Sequence, residues 1–377
     1  MIKIFYDGWA LVYQPNSPAA LHLLTLLAAH PPDIPAWIGL PGEPFHSLPQ
    51  VIQPIRLPTP GTDWGRLRWE QRNLPSLAVQ ARAELIHLVE SSPALLHSPH
   101  MLVSPAGFSS SDLPGQEYRA PPGFAARLSQ ALAQGGLVRI DALLWPADLP
   151  VPVTRAPVRS LPPVVHPVFA PETSTPGLAW SIQDDLAALD LPETYLLYHG
   201  PGDEPALHRL LDTWSWAASA IGEYYPLVIA GLDDPAQDRL AALSAEYQLT
   251  GTARPLPSLS LTALAAVYHG CHALFHPAEV SPWGDPSRMA LACGKPLVGL
   301  ETERTAALAG AAGYLVSPAE AYPARCRALG AALITVVVED RLADSLSQAA
   351  WARAAAWRFD LFSSNLRELY RELERSV

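Results

Sequence analysis

Lysine is nearly absent from this chain of 377 residues: it occurs only at Lys3 and Lys295, so arginine carries most of the positive charge. Acidic residues outnumber basic ones, and the net charge is -11. Nucleic acids and anionic membrane surfaces are bound through dense clusters of lysine and arginine. The composition therefore argues against a nucleic-acid partner and against a polybasic attachment to a membrane.

Cysteine is also scarce, with three residues and no CxxC spacing. An odd number of cysteines suits reduced thiols better than a disulfide framework. The segment from Ile2 to Tyr6 already has the pattern of a strand, so we expect no signal peptide. The longest apolar stretch, Ala328 to Val338, is about half as long as a membrane span. These features predict a cytoplasmic protein without a membrane span.

Charged residues make up only 16% of the chain, hydrophobic residues make up 49%, and there are 40 prolines. This balance is typical of a well-packed globular protein and not of a disordered one. The length suits two domains. Many of the prolines lie between apolar runs, where they end helices and strands.

Strands and helices are predicted to alternate along both halves of the chain. In the second half we expect strands at 195–198, 227–230, 273–276 and 296–300, with helices at 206–219, 236–247, 261–269 and 287–293. In the first half we expect strands at 2–6, 36–38, 101–103 and 142–145, with helices at 19–29 and 77–90. This alternation indicates right-handed βαβ units and parallel sheets.

The predicted fold class is α/β, with two Rossmann-like, doubly wound parallel-sheet domains that face a cleft. Ligands of such folds bind at the carboxyl ends of the strands. The proline-dense stretch from 146 to 176 lacks a helical period and is interpreted as the connection between the domains. The predicted boundaries are 1–165 for the first domain, 166–178 for the linker and 179–354 for the second domain. Residues 355–377 are predicted to form a helix that returns to the first domain.

Four segments resemble motifs of the family 4 glycosyltransferases, which have the GT-B fold. Residues 69–75 (WEQRNLP) resemble WEQxxLP, and residues 164–171 (VVHPVFAP) resemble the interdomain stretch NGVDxxxF-P. Residues 283–286 (WGDP) with 290–298 (ALACGKPLV) are similar to FGxP…AMACGxPVV, and residues 311–318 (AAGYLVSP) resemble the strand after it. In order and spacing, this resemblance covers nearly the whole chain.

The resemblance implies that a sugar is moved from a nucleotide-diphosphate sugar to a glycan or small acceptor, with retention and without a metal or other cofactor. Negative charge builds on the departing pyrophosphate, so the site must offer positive charge. The family supplies an Arg and a Lys after the first strand of the second domain, together with a helix N-terminus. Two glutamates in an E-x7-E spacing hold the sugar hydroxyls and the ribose.

Most of these charged groups are missing from the corresponding positions of this chain. Pro205 stands where the Lys belongs, and Gly202 or Glu204 stands where the Arg belongs. Ser281 and Met289 replace the two glutamates. The glycine-rich loop of the first domain reads QPNSP at 14–18, and the family's HD pair reads Pro-Ala at 105–106.

Several residues remain as candidates for donor binding, although none is assigned as catalytic. Backbone N–H groups around His199 and the glycines after it could meet a phosphate. Arg288 could do so as well, or it could form a surface salt bridge. Glu279 and Asp285 could accept sugar hydroxyls, or they could be solvated loop carboxylates. Trp283 stands where the family's Phe lines the donor cleft, although packing is the plainer role. The full candidate set is Gly200, Gly202, Glu279, Ser281, Trp283, Gly284, Asp285, Arg288 and Met289.

A metal site is not expected. His269, Cys271, His272 and His276 have a composition that suits zinc. They span the end of a predicted helix and the strand after it, so their side chains should diverge. Zinc ligands must instead converge in a tetrahedron.

Three functions remain open from the sequence. The chain could be a transferase in which the remaining side chains bind a nucleotide sugar. It could be a non-catalytic homologue that supports an active glycosyltransferase, for example in polysaccharide assembly. It could also keep only sugar or glycan binding through the first domain.

Overall fold

The computed structural model describes residues 2–90, 93–95, 99–107, 128, 131–132, 139–170, 189–319 and 321–376. These residues form two α/β domains, each built on one parallel sheet. The predicted fold class is therefore confirmed. The predicted linker, 166–178, lies outside the described residues from position 171 onward.

The first sheet has seven described strands in the order β3-β2-β1-β4-β5-β6-β7, and every pairing is parallel. Strands β1 and β4, at the centre of the sheet, are buried along their whole length, as expected when helices cover both faces of a parallel sheet. The strands are β1 Ile4–Asp7, β2 Ala36–Leu40, β3 Ile52–Arg56, β4 Leu85–Leu88, β5 His100–Val103, β6 Ala142–Pro146 and β7 Val158–Leu161.

The second sheet has six described strands in the order β10-β9-β8-β11-β12-β13, again all parallel. The strand order reverses between β8 and β11, so this sheet opens a crevice beyond their carboxyl ends. His199 ends β8 and His276 ends β11. The strands are β8 Leu196–His199, β9 Leu227–Ala230, β10 Ala253–Pro255, β11 Ala273–His276, β12 Leu297–Leu300 and β13 Gly313–Val316.

Helices cover both sheets, and most of them start at a capping side chain. Ser, Thr or Asp precedes seven of the described helices and accepts a backbone N–H of the first turn, which satisfies an otherwise unpaired donor. The helices are α1 Trp9–Tyr13, α2 Pro18–Ala29, α3 Asp63–Arg68, α4 Leu74–Gln80, α5 Glu204–Ile221, α6 Asp234–Glu246, α7 Leu261–Gly270, α8 Pro286–Ala292, α9 Glu303–Ala309, α10 Tyr322–Val338, α11 Asp340–Ala354 and α12 Phe359–Ser376. A π-helical turn, Trp69–Asn73, joins α3 to α4.

Two predictions in the first domain were wrong. The helix expected over 77–90 ends at Gln80, because Arg82 has a φ of 54°, in the left-handed region that ends a helix. Residues 85–88 form the central strand β4 instead. The proline-dense segment from 146 to 176 is not all linker, because residues 158–161 form the edge strand β7.

Helix α12 lies against the first domain, although it follows the second domain in the chain. Its Tyr370 hydroxyl is 2.8 Å from the Tyr6 hydroxyl on β1, and Ser363 Oγ donates to the carbonyl of Ala29. Phe362, Leu366 and Tyr370 are fully buried there. Within the described part of the chain, no helix combines the length and the apolar character needed to cross a bilayer.

Candidate functional site

The loop between β11 and α8 carries most of the predicted donor residues, and the carboxylate of Asp285 shapes it. Asp285 Oδ1 accepts the N–H of Ser287 at 2.8 Å and so caps α8, which begins at Pro286. Asp285 Oδ2 accepts the N–H of Ser281 at 2.5 Å, which closes the loop on itself. Asp285 is completely buried, so the alternative of a solvated loop carboxylate was wrong.

Ser281 and Trp283 are bound to the first domain. Ser281 Oγ accepts the N–H of Gly107 at 3.0 Å, and Trp283 Nε1 donates to the carbonyl of Leu144 at 3.0 Å. The Trp283 ring stacks on His22 with centroids 5.0 Å apart and planes 16° apart. Both Ser281 and Trp283 are at most 1% exposed. Ser281, which the sequence analysis sets at the first glutamate of the E-x7-E spacing, is therefore inside the interdomain contact.

Gly284 brings the backbone of the same loop against the start of α2. Its φ is +64°, and a Cβ added there would lie 2.0 Å from the carbonyl oxygen of Pro18. Only a residue without a side chain allows this approach. The loop and the first domain are thus in direct contact at Gly284.

Arg288 is fully buried and forms a bidentate ion pair with Asp148, which follows β6 of the first domain. The two N–O distances are 2.8 and 2.7 Å, and the guanidinium carbon lies 5.2 Å from the centre of the Trp357 ring. The salt bridge considered from the sequence exists, but its placement on the surface was wrong. A guanidinium that is held this way is not available to a phosphate.

Two further donor candidates are also engaged by the protein itself. Met289 is 3% exposed and belongs to the hydrophobic core around α8. Glu279 is partly exposed, and its Oε1 accepts the hydroxyl of Thr302 at 2.7 Å. Met289 therefore lies in the core, and the carboxylate of Glu279 is already bound by a hydroxyl of the protein.

Next to this loop, buried polar groups at the end of β11 and on α8 have no hydrogen-bond partner among the residues that the structure describes. They are both ring nitrogens of His276, the hydroxyl of Ser287 and Nε of Arg288. His276 Nε2 lies 3.8 Å from Asp285 Oδ2. Buried polar groups without a hydrogen bond lower the stability of the fold.

On the neighbouring strand, His199 connects the end of β8 to the first domain. Its Nε2 lies 2.6 Å from the carbonyl oxygen of Asn16, and its Nδ1 lies 2.7 Å from the hydroxyl of Tyr268. Burial lowers the pKa of His199 to about 4, so the ring is neutral at pH 7. Nε2–H then donates to Asn16, and Nδ1 accepts from Tyr268.

Gly200 and Gly202 line an open part of the cleft, with a volume of about 560 Å³. Its walls come from the loop after α1, the turn after β8 and the start of α6. Asn16 fixes the first of these walls, since its side-chain amide exchanges two hydrogen bonds with the backbone of Leu259. The lining residues are Val12, Tyr13, Gln14, Pro15, Asn16, Ser17, Phe45, Gly200, Pro201, Gly202, Asp203, Gly231, Leu232, Asp233, Asp234, Pro235, Ala236, Arg239 and Ser258.

The charged side chains of this open cleft are mostly acidic. Asp203, Asp233 and Asp234 line it together with one arginine, Arg239, which donates to the carbonyl of Gly202 at 3.0 Å. Asp203 caps α5 and Asp233 caps α6, each through a 2.8 Å bond to a backbone N–H. The positive ends of both helices are therefore already neutralised by the protein's own carboxylates.

The described residues contain no group of three or more His, Cys, Asp or Glu side chains that could hold a metal ion. The described cysteines, Cys271, Cys293 and Cys326, are buried and free of disulfides. Burial raises the pKa of Cys271 to about 12, which keeps this thiol protonated and unreactive.

The contacts that fill the site could not be read from the sequence. His22, Leu144 and Asp148 each meet a donor candidate that is more than 100 residues away in the chain. Asp148 lies in a proline-flanked segment, and the sequence analysis assigned no role to it. A capping signal could have identified Asp285, because it directly precedes Pro286 at a predicted helix start.

No protein-family model and no curated protein sequence matches this chain. Solved structures do match it over nearly its whole length. It is similar to the sucrose-phosphate synthase of Thermosynechococcus elongatus, at a TM-score of 0.70 and 17% identity, with 100% of each chain covered. It is similar to WaaG, a glycosyltransferase involved in lipopolysaccharide biosynthesis, at a TM-score of 0.69 and 13% identity, covering 97% of this chain and 99% of that one.

A third similar structure is HepE of Anabaena in complex with UDP and glucose, at a TM-score of 0.65 and 16% identity, with 100% of each chain covered. At these identities the likeness shows the fold and not the activity. The fold is GT-B, the two-domain architecture of glycosyltransferases.

Proposed function

We propose that this chain is a glycosyltransferase-like protein of the family 4 type that no longer transfers sugar and works as a binding or partner subunit in polysaccharide assembly. The observation that carries the proposal is the burial of Arg288 in a bidentate pair with Asp148. A cation next to the expected donor position is thereby used to hold the two domains together.

The missing charges have a large energetic effect. Charge-assisted hydrogen bonds contribute roughly 1.5–3 kcal/mol each. Losing both cations from the pyrophosphate position weakens donor binding by about 3–6 kcal/mol, on the order of 10²- to 10⁴-fold. Recruiting Arg288 instead would break a buried ion pair, which costs about 3–5 kcal/mol. Transition-state stabilisation relies on the same charges and suffers at least as much.

The acidic lining of the open cleft adds to this barrier. A pyrophosphate near Gly200 and Gly202 would face Asp203, Asp233 and Asp234 and the helix ends that two of these residues already cap. These three carboxylates are exposed and carry the same sign of charge as a pyrophosphate, so they would repel it. The cleft is therefore better suited to a neutral ligand than to a nucleotide diphosphate.

One observation favours a second candidate, an active retaining transferase with a nucleotide sugar as its donor substrate. HepE, which shares the fold over its whole length, is seen in complex with UDP and glucose. In this chain the 560 Å³ cleft stays open beside Gly200 and Gly202. The two candidates differ in a measurable property, which is nucleotide-sugar affinity.

Isothermal titration of the purified protein with UDP-glucose, GDP-mannose and ADP-glucose separates the two candidates. We expect no heat of binding at ligand concentrations of about 1 mM. Chromatography of the same mixtures should show no release of free nucleotide. Binding of any of these donors together with nucleotide release would overturn the proposal and establish the second candidate.

A designed variant tests the physical cause. Placing glutamates at Ser281 and Met289 would bury carboxylates, because these positions are 1% and 3% exposed. The aspartates of the cleft are exposed and can be substituted without burying a charge. The changes Asp203→Asn, Asp233→Asn and Asp234→Asn remove three negative charges. Asparagine caps a helix as well as aspartate does. Combined with Pro205→Lys, these changes should raise UDP-glucose affinity by about 10-fold or more.

The matched control is Asp238→Asn, which removes an exposed charge from α6 outside the cleft and should change nothing. If the four-residue variant stays folded and still shows no affinity, charge is not the cause of the missing donor binding.

We also place the protein in the cytoplasm. Cys271, Cys293 and Cys326 are buried and form no disulfide within the described part of the chain, which supports this assignment, since reduced thiols persist where the environment is reducing.

A further inference from the structure

A second concave surface lies on the first domain, in the segment that follows the edge strand β3. It has a volume of about 320 Å³ and lies between the loop 57–62 and helix α3. This volume is in the range of small-molecule sites, which is about 300–1,000 Å³. Trp64, Arg68 and Asn73 are its large polar or aromatic lining residues. None of these residues had a role in the donor site considered above.

The floor of this pocket is rigid before any ligand arrives. The N–H of Thr59 donates to the carbonyl of Pro41, and the Thr59 hydroxyl accepts from Asn73 Nδ2 at 3.2 Å. Thr62 caps α3 by accepting the N–H of Gly65 at 3.1 Å. Gly65 has no room for a side chain, because a Cβ would lie 2.0 Å from the carbonyl oxygen of Pro60. A preformed pocket of this kind binds with little loss of conformational entropy.

The wall and rim of the pocket combine an aromatic face with donors. Trp64 is 58% exposed, whereas Trp9, Trp69 and Trp145 of the same domain are at most 3% exposed. Arg68, one helical turn after Trp64, is exposed and forms no ion pair with any residue that the structure describes. By contrast, Arg66 is bound by two carboxylates.

We propose that this pocket binds a pyranose unit of a glycan, with its C–H face on the Trp64 indole. A pyranose has one apolar face and a rim of hydroxyls, so it needs a flat hydrophobic surface next to planar N–H donors. Arg68 and Asn73 supply those donors beside the indole. A carboxylate on the sugar would gain a charge-assisted bond from Arg68, which is the only charged residue in the described lining.

The pocket also has a connection to the interdomain cleft. Tyr13 lines that cleft, and its hydroxyl donates to the carbonyl of Thr59, which lines the pocket on α3. A glycan held at Trp64 therefore has its neighbouring units close to the open cleft. The pocket stands on its own contacts and does not depend on the loss of sugar transfer.

The test uses the full chain and three hexasaccharide probes at about 10 mM: cellohexaose, maltohexaose and hexagalacturonate, followed by saturation-transfer NMR and isothermal titration. We expect binding of at least one of the three. Trp64→Ala should weaken that binding about 10-fold or more, as truncation of a stacking aromatic does. Trp64→Phe should restore part of it, and Arg68→Gln should weaken it several-fold.

Two variants serve as matched controls. Trp216→Ala removes an exposed tryptophan, 46% exposed, from the second domain, and Arg72→Gln removes an exposed arginine that does not line the pocket. Both should leave binding within twofold of the unmodified protein. Circular dichroism checks that every variant is folded.

Two results would overturn the inference: the absence of binding for all three probes, and binding that Trp64→Ala leaves unchanged. If no saccharide binds, a further titration with AMP shows whether Trp64 belongs to a base-stacking site instead.

Discussion

Arg288 donates two hydrogen bonds to the carboxylate of Asp148 across the domain contact. The guanidinium is fully buried, and the Asp148 side chain is 14% exposed. A second arginine, Arg353, lies 3.6 Å from the same carboxylate. Removing one partner of a buried pair leaves the other charge without compensation, which costs more than the pair itself contributes. The stability of the interface is therefore sensitive to this carboxylate.

We predict that Asp148→Asn lowers the free energy of unfolding by about 3–5 kcal/mol, as measured by urea denaturation. Asp360→Asn, which removes an exposed ion pair with Arg358, is the control and should have a much smaller effect, because solvent screens an exposed pair. The double variant Arg288→Met with Asp148→Leu should recover most of the loss, because it removes both charges of the buried pair, while the partly exposed Arg353 keeps its bonds to the carbonyls of Ala307 and Leu308. Equal effects of Asp148→Asn and Asp360→Asn on the free energy of unfolding would show that breaking the buried ion pair costs no more than breaking an exposed one.

For individual residues, the sequence predicted which of the candidates lie near each other, but not which partners they contact. Ser281, Trp283, Gly284, Asp285, Arg288 and Met289 do share one loop and the helix after it, as their spacing indicates. Their partners, such as His22 and Asp148, come from distant segments whose contact depends on how two domains pack. A local pattern carries no information about that packing.

In the first domain, a row of hydrogen-bonded side chains joins the secondary-structure elements α2, β1, β4 and α12. His22 Nε2 lies 3.0 Å from Ser104 Oγ, which lies 2.9 Å from His87 Nε2. His87 Nδ1 then lies 2.8 Å from the hydroxyl of Tyr370, which reaches Tyr6. The row continues from Tyr6 to His30. It begins at the ring that stacks on Trp283.

The histidines of this row are neutral because they are buried. Burial lowers the pKa of His87 to about 3 and lowers the pKa of His22 and His30 from the ordinary value of 6.5. Burial also lowers the pKa of His166 and His199 to about 4. Below pH 6.5 these histidines take up protons when the chain unfolds, but not while it is folded, so acid favours unfolding.

Two carboxyl groups have the opposite effect on the pH dependence of stability. Burial raises the pKa of Asp7 to about 6 and that of Glu70 to about 7, so the folded state binds their protons more tightly than the unfolded state. Acidification therefore favours folding through these two groups. The histidines with a lowered pKa outnumber these two carboxyl groups, so the net effect of acid is to favour unfolding.

We predict that the free energy of unfolding decreases when the pH is lowered from 7 to 5, as followed by urea denaturation at half-unit steps. His87→Gln removes one titrating group and should reduce the slope by up to about 1.4 kcal/mol per pH unit. A stability that rises towards pH 5 would contradict the assignment of neutral histidines.

The elements themselves were predicted well where their sequence pattern is strong. Every strand expected in the second domain appears, with ends shifted by one residue at most. The edge strands β3 and β7 were missed because β3 contains Pro54 and both are largely exposed, which weakens the apolar signal. Strand β4 was assigned to a helix because a short apolar run fits either structure.

Considered as a whole, the molecule is held in a closed arrangement by contacts from three places. They are the Gly284 loop on α2, the buried pair of Arg288 and Asp148, and His199 on Asn16. A transferase that admits a large donor between its domains must be able to open that contact. Here each contact includes a buried polar or close-packed group, so opening is costly.

We predict that Gly284→Ala separates the domains or unfolds them. The substitution puts a Cβ 2.0 Å from the Pro18 oxygen at a φ of +64°. Gly251→Ala is a matched control, since its φ is +95° and nothing lies within 4 Å of the added Cβ, so it reports backbone strain alone. Gly284→Ala should cost at least about 2 kcal/mol more in urea denaturation. It should also enlarge the radius of gyration in small-angle X-ray scattering. Identical results for the two variants would show that the loop can move to accommodate the added Cβ at little energetic cost.

The position of α12 in the chain has a consequence for biosynthesis. Tyr370 completes the interior of the first domain from 364 residues beyond its partner Tyr6. Domains near the start of a chain ordinarily fold while the rest is still being made. Here the interior of the first domain cannot close until the ribosome has also released α12, which follows the whole second domain. Until then, the surface that α12 covers stays open.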